Sequence, residues 1–172
     1  MAVLGHSLGA LKALYAQARQ PHPAVKRAIA ISPPRLSYEV FRAPPQGEQF
    51  LRDLAQAQAL VAAGRPKTLL EVKFPIAYVV SAEGFVDKYG ADQRYDVLSL
   101  LESVTCPMLF TYGSAELDRS VAFRGMPEAL EAAAQRGLNV QVAVVAGADH
   151  VYSGAYAELA ARTKSWLQRT KD

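Results

Sequence analysis

Apolar positions fall along this chain in an order that predicts strands alternating with helices. Met1-Ala2-Val3-Leu4 is apolar throughout, and Gly5-His6-Ser7-Leu8-Gly9 follows as a tight turn into Ala10 to Ala18, a stretch of helix formers. Pro21 and Pro23 punctuate, and Val25 to Ser32 then reads as a second strand ended by Pro33-Pro34. Strand, helix, strand predicts a parallel pair. From 33 to 103 the rhythm changes. Gly47 to Ala63 sets Phe50, Leu51, Leu54, Ala57, Leu60 and Val61 near helical spacing, and Tyr95 to Val104 does the same with Val97, Leu98, Leu100 and Leu101. This segment reads as a mostly helical insertion. The sheet resumes at Pro107 to Tyr112, closed by Gly113, and at Asn139 to Val145, closed by Gly147. Between them Pro127 to Arg136 reads as a helix that Gly137 stops, and a last amphipathic helix, Tyr156 to Gln168, carries Leu159, Trp166 and Leu167. The core is therefore expected in 1–32 and 104–172, with 33–103 inserted.

Composition narrows the class. A chain of 172 residues, 51% apolar and 20% charged, has the proportions of one ordinary globular domain, which excludes disorder, collagen and coiled coil. The net charge of +3 comes without a basic run or aromatic interleaving, so no nucleic-acid partner is expected. The longest apolar candidate for a membrane span, Phe74 to Val80, is broken by Pro75 and falls short of the ~18 residues required, so no membrane is expected either. His6, Ser7 and Lys12 interrupt the first apolar stretch and no basic segment precedes it, so it reads as mature structure rather than a leader. One cysteine, Cys106, rules out an internal disulfide or cysteine metal site and fits a reducing, cytoplasmic setting; at a strand entrance it reads as an inert buried thiol.

The chemistry begins at Gly5-x-Ser7-x-Gly9. Between a strand and a helix this pattern forms a turn sharp enough to hold its middle residue in a strained conformation, with the hydroxyl above the strand ends and the Leu8 amide at the helix start facing a developing oxyanion. Alone, such a pattern arises often by chance; the flanking elements give it meaning. A serine hydroxyl needs a base. His6 sits inside the turn with its side chain directed away from that of Ser7, to pack or bond locally, and His22 lies between two prolines as a solvated loop residue. His150, in Ala146-Gly147-Ala148-Asp149-His150 after the last strand, is placed at the same sheet edge as Ser7 and is the best base. A carboxylate must then hold its tautomer. Glu116, three residues past Gly113, leads from strand-end geometry, with Asp118 as the alternative if the loop bends differently. Asp149 would have to fold back on its neighbour and reads as a loop brace. Tyr78, Phe85, Tyr89 and Tyr95 could face a substrate or simply pack the insertion. Scattered histidines make no metal site, no phosphate loop is present, and no cofactor is called for.

Gly5-His6-Ser7-Leu8-Gly9-Ala10, Pro107 to Gly113 followed by Glu116, and Gly147-Ala148-Asp149-His150 together resemble the α/β-hydrolase superfamily, and 33–103 looks like its cap or lid. The resemblance covers the whole chain and implies a partial α/β-hydrolase fold, a mostly parallel sheet flanked by helices. Family members carry further strands before the elbow, and a loop there supplies a second oxyanion donor; nothing in this sequence corresponds to them. The expectation is a fragment, or strands supplied from elsewhere, with weak activity in the chain as written. The function implied is a serine hydrolase of carboxylesterase or thioesterase type, acting on a small-molecule acyl substrate through Ser7, Glu116 and His150, with the lid setting substrate choice. The alternative is a catalytically silent half-domain serving interaction or structure, and the edge at Met1 to Leu4 would then invite self-association.

Overall fold

In chain order the elements are β1 (Ala2–His6), α1 (Leu8–Arg19), β2 (Arg27–Ile31), α2 (Tyr38–Phe41), α3 (Gly47–Ala62), β3 (Leu69–Val72), β4 (Tyr78–Ser81) and α4 (Ala82–Tyr89). They continue with α5 (Val97–Leu100), a 3-10 turn (Leu101–Ser103), β5 (Met108–Gly113), α6 (Ser114–Leu117), α7 (Met126–Gln135), β6 (Val140–Val145) and α8 (Tyr156–Arg169). The structure is a computed structural model that describes residues 1–43, 45 and 47–169. Residues 44 and 46 of the expected insertion and 170–172 of the expected core lie outside the described residues. Two compact units emerge, Met1–Arg35 with Val97–Asp172, and Leu36–Asp96.

In the first unit four strands pair in the order β1-β2-β5-β6, all parallel. Parallel strands in the middle of a sheet must give both faces to cover, so they are apolar at consecutive rather than alternate positions. β5 accordingly is buried at every residue and β2 at all but Arg27. Ile29, Ile31 and Leu109 join Val145, Tyr152 and the single tryptophan, Trp166 of α8, in one cluster that Leu159 and Leu167 flank. Ala28, Ala30, Met108 and Phe110 alternate with them and are also buried, while α1 packs on β1 and β2 through a face that buries Ala10, Leu11 and Leu14. β1 differs. Its residues alternate between exposed and half-buried, Leu4 being 54% exposed, because among the described residues β2 alone pairs with it. The helix expected over Tyr95 to Val104 is shorter, α5 and then a 3-10 turn, with β-branched Val104 and Thr105 leading into Pro107.

The second unit is mostly helical but contains an antiparallel hairpin, β3 with β4, that the helical reading of 33–103 passed over. Leu70 and Val72 point inward, whereas Leu69 and Val79 are apolar yet exposed, so the polar-apolar alternation that marks a hairpin strand is missing. The interior is aromatic. Phe41, Phe50, Phe74, Phe85 and Tyr89 meet largely edge to face, Phe50 and Tyr89 at 6.2 Å and 90° between ring planes. Phe85 and Tyr89 are thus core residues of this unit; Tyr95 donates to Asp87 and Lys88 lies over the Tyr78 ring. Ser81 caps α4 by accepting from the Gly84 amide.

Candidate functional site

Four parallel strands deliver their C-terminal ends to one edge of the sheet, and each end leads into a residue of one polar cluster: Ser7 after β1, Ser32 after β2, Glu116 after β5 and His150 after β6.

The elbow forms as its spacing predicts. Ser7 sits at φ 56° and ψ −128°, donates its amide to the Ile31 carbonyl at 2.8 Å, and accepts at its own carbonyl from Ala10 at 3.0 Å. Gly5 is required by close approach: a Cβ there would lie 2.4 Å from the Gly9 backbone. Gly9 itself has open space around it, so the second glycine of the motif is not held by contact among the described residues. Leu8 heads α1, and its amide is one of those that a helix start leaves without an intrahelical partner.

His150 Nε2 lies 3.0 Å from Ser7 Oγ, and its Nδ1 lies 2.7 Å from Glu116 Oε2. Glu116 is buried and accepts at Oε1 from the Gly113 amide at 2.7 Å and from the Ser32 hydroxyl. With the carboxylate as acceptor, Nδ1 carries the imidazole proton, which leaves Nε2 to accept from the serine hydroxyl. Asp118, the alternative acid, caps α6 on the exposed side.

The loop that carries His150 is tied down at several points. Asp149 Oδ1 accepts from the Val151 amide at 3.1 Å and the Ser153 amide at 2.9 Å, and the Ser153 bond foremost holds this carboxyl below its ordinary range, so Asp149 braces the loop as its position suggests. The Gly147 amide donates to Ser114 Oγ at 2.7 Å and the Ala115 amide to the Ala148 carbonyl at 3.0 Å, which joins the loop after β5 to the loop after β6. Gly113 permits that junction, since a Cβ there would stand 2.2 Å from the Ala148 oxygen. Glu116 and His150 are thereby fixed to each other.

The structure departs from the local role expected of His6. Its Nε2 donates to the His150 carbonyl at 2.7 Å, 144 residues away, and its ring lies 4.9 Å from the His150 ring; Phe123 approaches the same imidazole at 5.1 Å. His22 accepts from the Ala24 amide in an exposed turn. Cys106 is half-buried rather than fully buried, and burial pushes its thiol up. A cavity of about 200 Å³, bordered by Arg119, Ser120, Phe123 and Val151, opens beside His150. A larger apolar groove of about 550 Å³ runs between Leu4 and Leu159 and Leu167 of α8, and no member of the Ser-His-Glu set lines it. Among the described residues no His, Cys, Asp and Glu cluster is arranged to hold a metal ion, and no helix is long and apolar enough to cross a membrane. Sequence reasoning missed Ser32, Tyr152 and the reach of His6. Ser32 was visible only as the last residue of a strand before Pro33-Pro34.

Ser7, Glu116 and His150 thus meet at the C-terminal edge of a parallel sheet, and solved structures share the fold that carries them. The chain is similar to Est1E from Butyrivibrio proteoclasticus (TM-score 0.57, 14% identity, 98% of this chain and 60% of that one). It is similar to the esterase domain of a Rhodothermus marinus protein (TM-score 0.56, 14% identity, 96% and 60%) and to MenH from S. aureus (TM-score 0.53, 15% identity, 99% and 69%). The chain has part of the α/β-hydrolase fold. It spans about 60% of the length of the first two. No protein-family model and no curated protein matches the sequence.

Proposed function

We propose that the chain is a serine hydrolase that cleaves a carboxylic ester or thioester through an acyl-enzyme on Ser7. The observation that carries the reading is the connected line Ser7 Oγ, His150, Glu116, at 3.0 and 2.7 Å, with Ser7 at positive φ. Ser7 Oγ attacks the acyl carbon as His150 Nε2 takes its proton, and the imidazolium that forms faces Glu116. The same proton passes to the leaving alkoxide or thiolate; a water, deprotonated by Nε2, then releases the acid and frees the serine. The Leu8 amide supplies one oxyanion donor. The esterases among the structural neighbours favour this substrate class. The test is a panel of ester, thioester and amide substrates with the wild-type chain and Ser7→Ala. Turnover of esters or thioesters that Ser7→Ala abolishes supports the reading; turnover that survives in Ser7→Ala moves the nucleophile elsewhere.

A second reading, a silent module that associates through its sheet edge, rests on the open β1 strand with Leu4 exposed beside the apolar groove. It requires a folded chain that turns over none of the panel and forms dimers or larger species by sedimentation at micromolar concentration.

A further inference from the structure

Behind Glu116, on the side away from His150, three further hydroxyl groups are buried with almost no exposure: Ser32, Thr111 and Tyr152. Tyr152 Oη lies 3.2 Å from Ser32 Oγ and 2.9 Å from Thr111 Oγ1, and Ser32 donates to Glu116 Oε1. Each hydroxyl has one proton. The single proton of Ser32 Oγ faces both Glu116 Oε1 and Tyr152 Oη, and Tyr152 and Thr111 share a hydrogen bond in which either hydroxyl can donate. Thr111, Tyr152, Ser32 and Glu116 thus form one connected hydrogen-bond network that includes the carboxylate. In a low-dielectric interior each such donor strengthens the next, and an unmade bond is costly.

The backbone shows that the arrangement is held against local preference. Among the described residues four non-glycine positions have positive φ, and three of them are Ser7, Ser32 (φ 46°) and Tyr152 (φ 57°). Left-handed backbone at a serine and a tyrosine costs free energy that ordinary packing does not recover, and such strain persists where the surrounding structure fixes it for a purpose. The Ser32 hydroxyl meets the oxygen of Glu116 that His150 does not use, and the Tyr152 hydroxyl meets that of Ser32.

We infer that Ser32, backed by Tyr152 and Thr111, is a positioning residue for the acid: the hydroxyl network occupies Oε1, which keeps Glu116 oriented with Oε2 on His150 Nδ1. This inference rests on the hydrolase reading for its kinetic consequence but not for its structural one. The variants are Ser32→Ala, Tyr152→Phe and Thr111→Val, with Thr111→Ser as the conservative control that retains the donor. Kinetic constants are taken per active serine, and the low-field proton resonance of His150 Nδ1–H is recorded for each folded variant.

Ser32→Ala is expected to lower kcat about tenfold, the lower range for a hydrogen bond to a charged group, and Tyr152→Phe about threefold, as for a neutral one. Thr111→Val should lose less, Thr111→Ser nothing, and KM should stay within about twofold throughout. The Nδ1 resonance should broaden or move in the first two and stay in place in Thr111→Ser. If Ser32→Ala fails to fold, Tyr152→Phe decides, because it keeps the ring and its packing. Unchanged kcat and resonance in Tyr152→Phe, or a loss of thermal stability alone, overturns the inference. A wild-type chain that hydrolyses nothing while its variants show the resonance changes refutes the hydrolase reading and leaves the network standing.

Discussion

Replacing Glu116 by glutamine changes one atom in a buried site and should separate orientation from packing. The amide oxygen can still accept from the Gly113 amide and the Ser32 hydroxyl, so the side chain keeps its place. The amide nitrogen then faces His150 Nδ1, where the carboxylate accepts at 2.7 Å in the wild-type chain. A donor there stabilises the tautomer whose lone pair is on Nδ1 and whose proton is on Nε2, and Ser7 loses its base. Such a reversal lowers turnover by ~10⁴-fold, or about 5.5 kcal/mol at 1.4 kcal/mol per decade. Asp118→Asn, on the exposed side of α6, should stay within about twofold, as surface changes do. The assay is kcat on a saturating ester for both variants, with circular dichroism and thermal melting to show that the fold is retained. A Glu116→Gln chain within about tenfold of wild type, or an Asp118→Asn chain that is the worse of the two, refutes the assignment of the acid.

Three other outcomes follow from particular contacts. Asp149→Ala removes the acceptor for the Val151 and Ser153 amides and should lower ester hydrolysis, whereas Asp149→Asn retains an oxygen there and should restore most of it; equal rates would show that the loop needs no brace. Trp166→Ala empties the center of the cluster under β2 and β5 and should cost ~3–5 kcal/mol, a fall of roughly 10 °C in melting temperature, while a fall under about 3 °C would contradict the packing account. Exchange of residues 36–96, which leave the first unit after the C-terminal end of β2, should alter the preference among acyl chain lengths; an unchanged preference removes that unit from substrate selection.

Much of the site could be read in the sequence because its residues sit at ends of elements that the sequence marks clearly. An apolar run, a Gly-x-Ser-x-Gly turn and a stretch of helix formers identify Ser7; distance from Gly113 points to Glu116, and the loop after the last apolar run points to His150. What was illegible depends on pairing between distant segments. His6 bonds a carbonyl 144 residues away, and Ser32 meets Glu116 and Tyr152 across the sheet edge, so no local spacing reveals either. The β3–β4 hairpin was hidden for another reason: Leu69 and Val79 are apolar on its outer face, which erased the alternation. Met1 to Leu4 reads as an edge despite its apolar run, and among the described residues β1 is an edge strand, since apolar composition states what a strand can bury and not whether a neighbour is there.

Covalent labelling tests most directly whether Ser7 is an activated nucleophile in this chain. The folded chain is treated with a fluorophosphonate and the adduct located by peptide mass spectrometry. One adduct per chain is expected, on Ser7, lost in Ser7→Ala and strongly slowed in His150→Ala. A folded chain that remains unlabelled, or carries the adduct on another residue, contradicts the assignment of Ser7 as nucleophile.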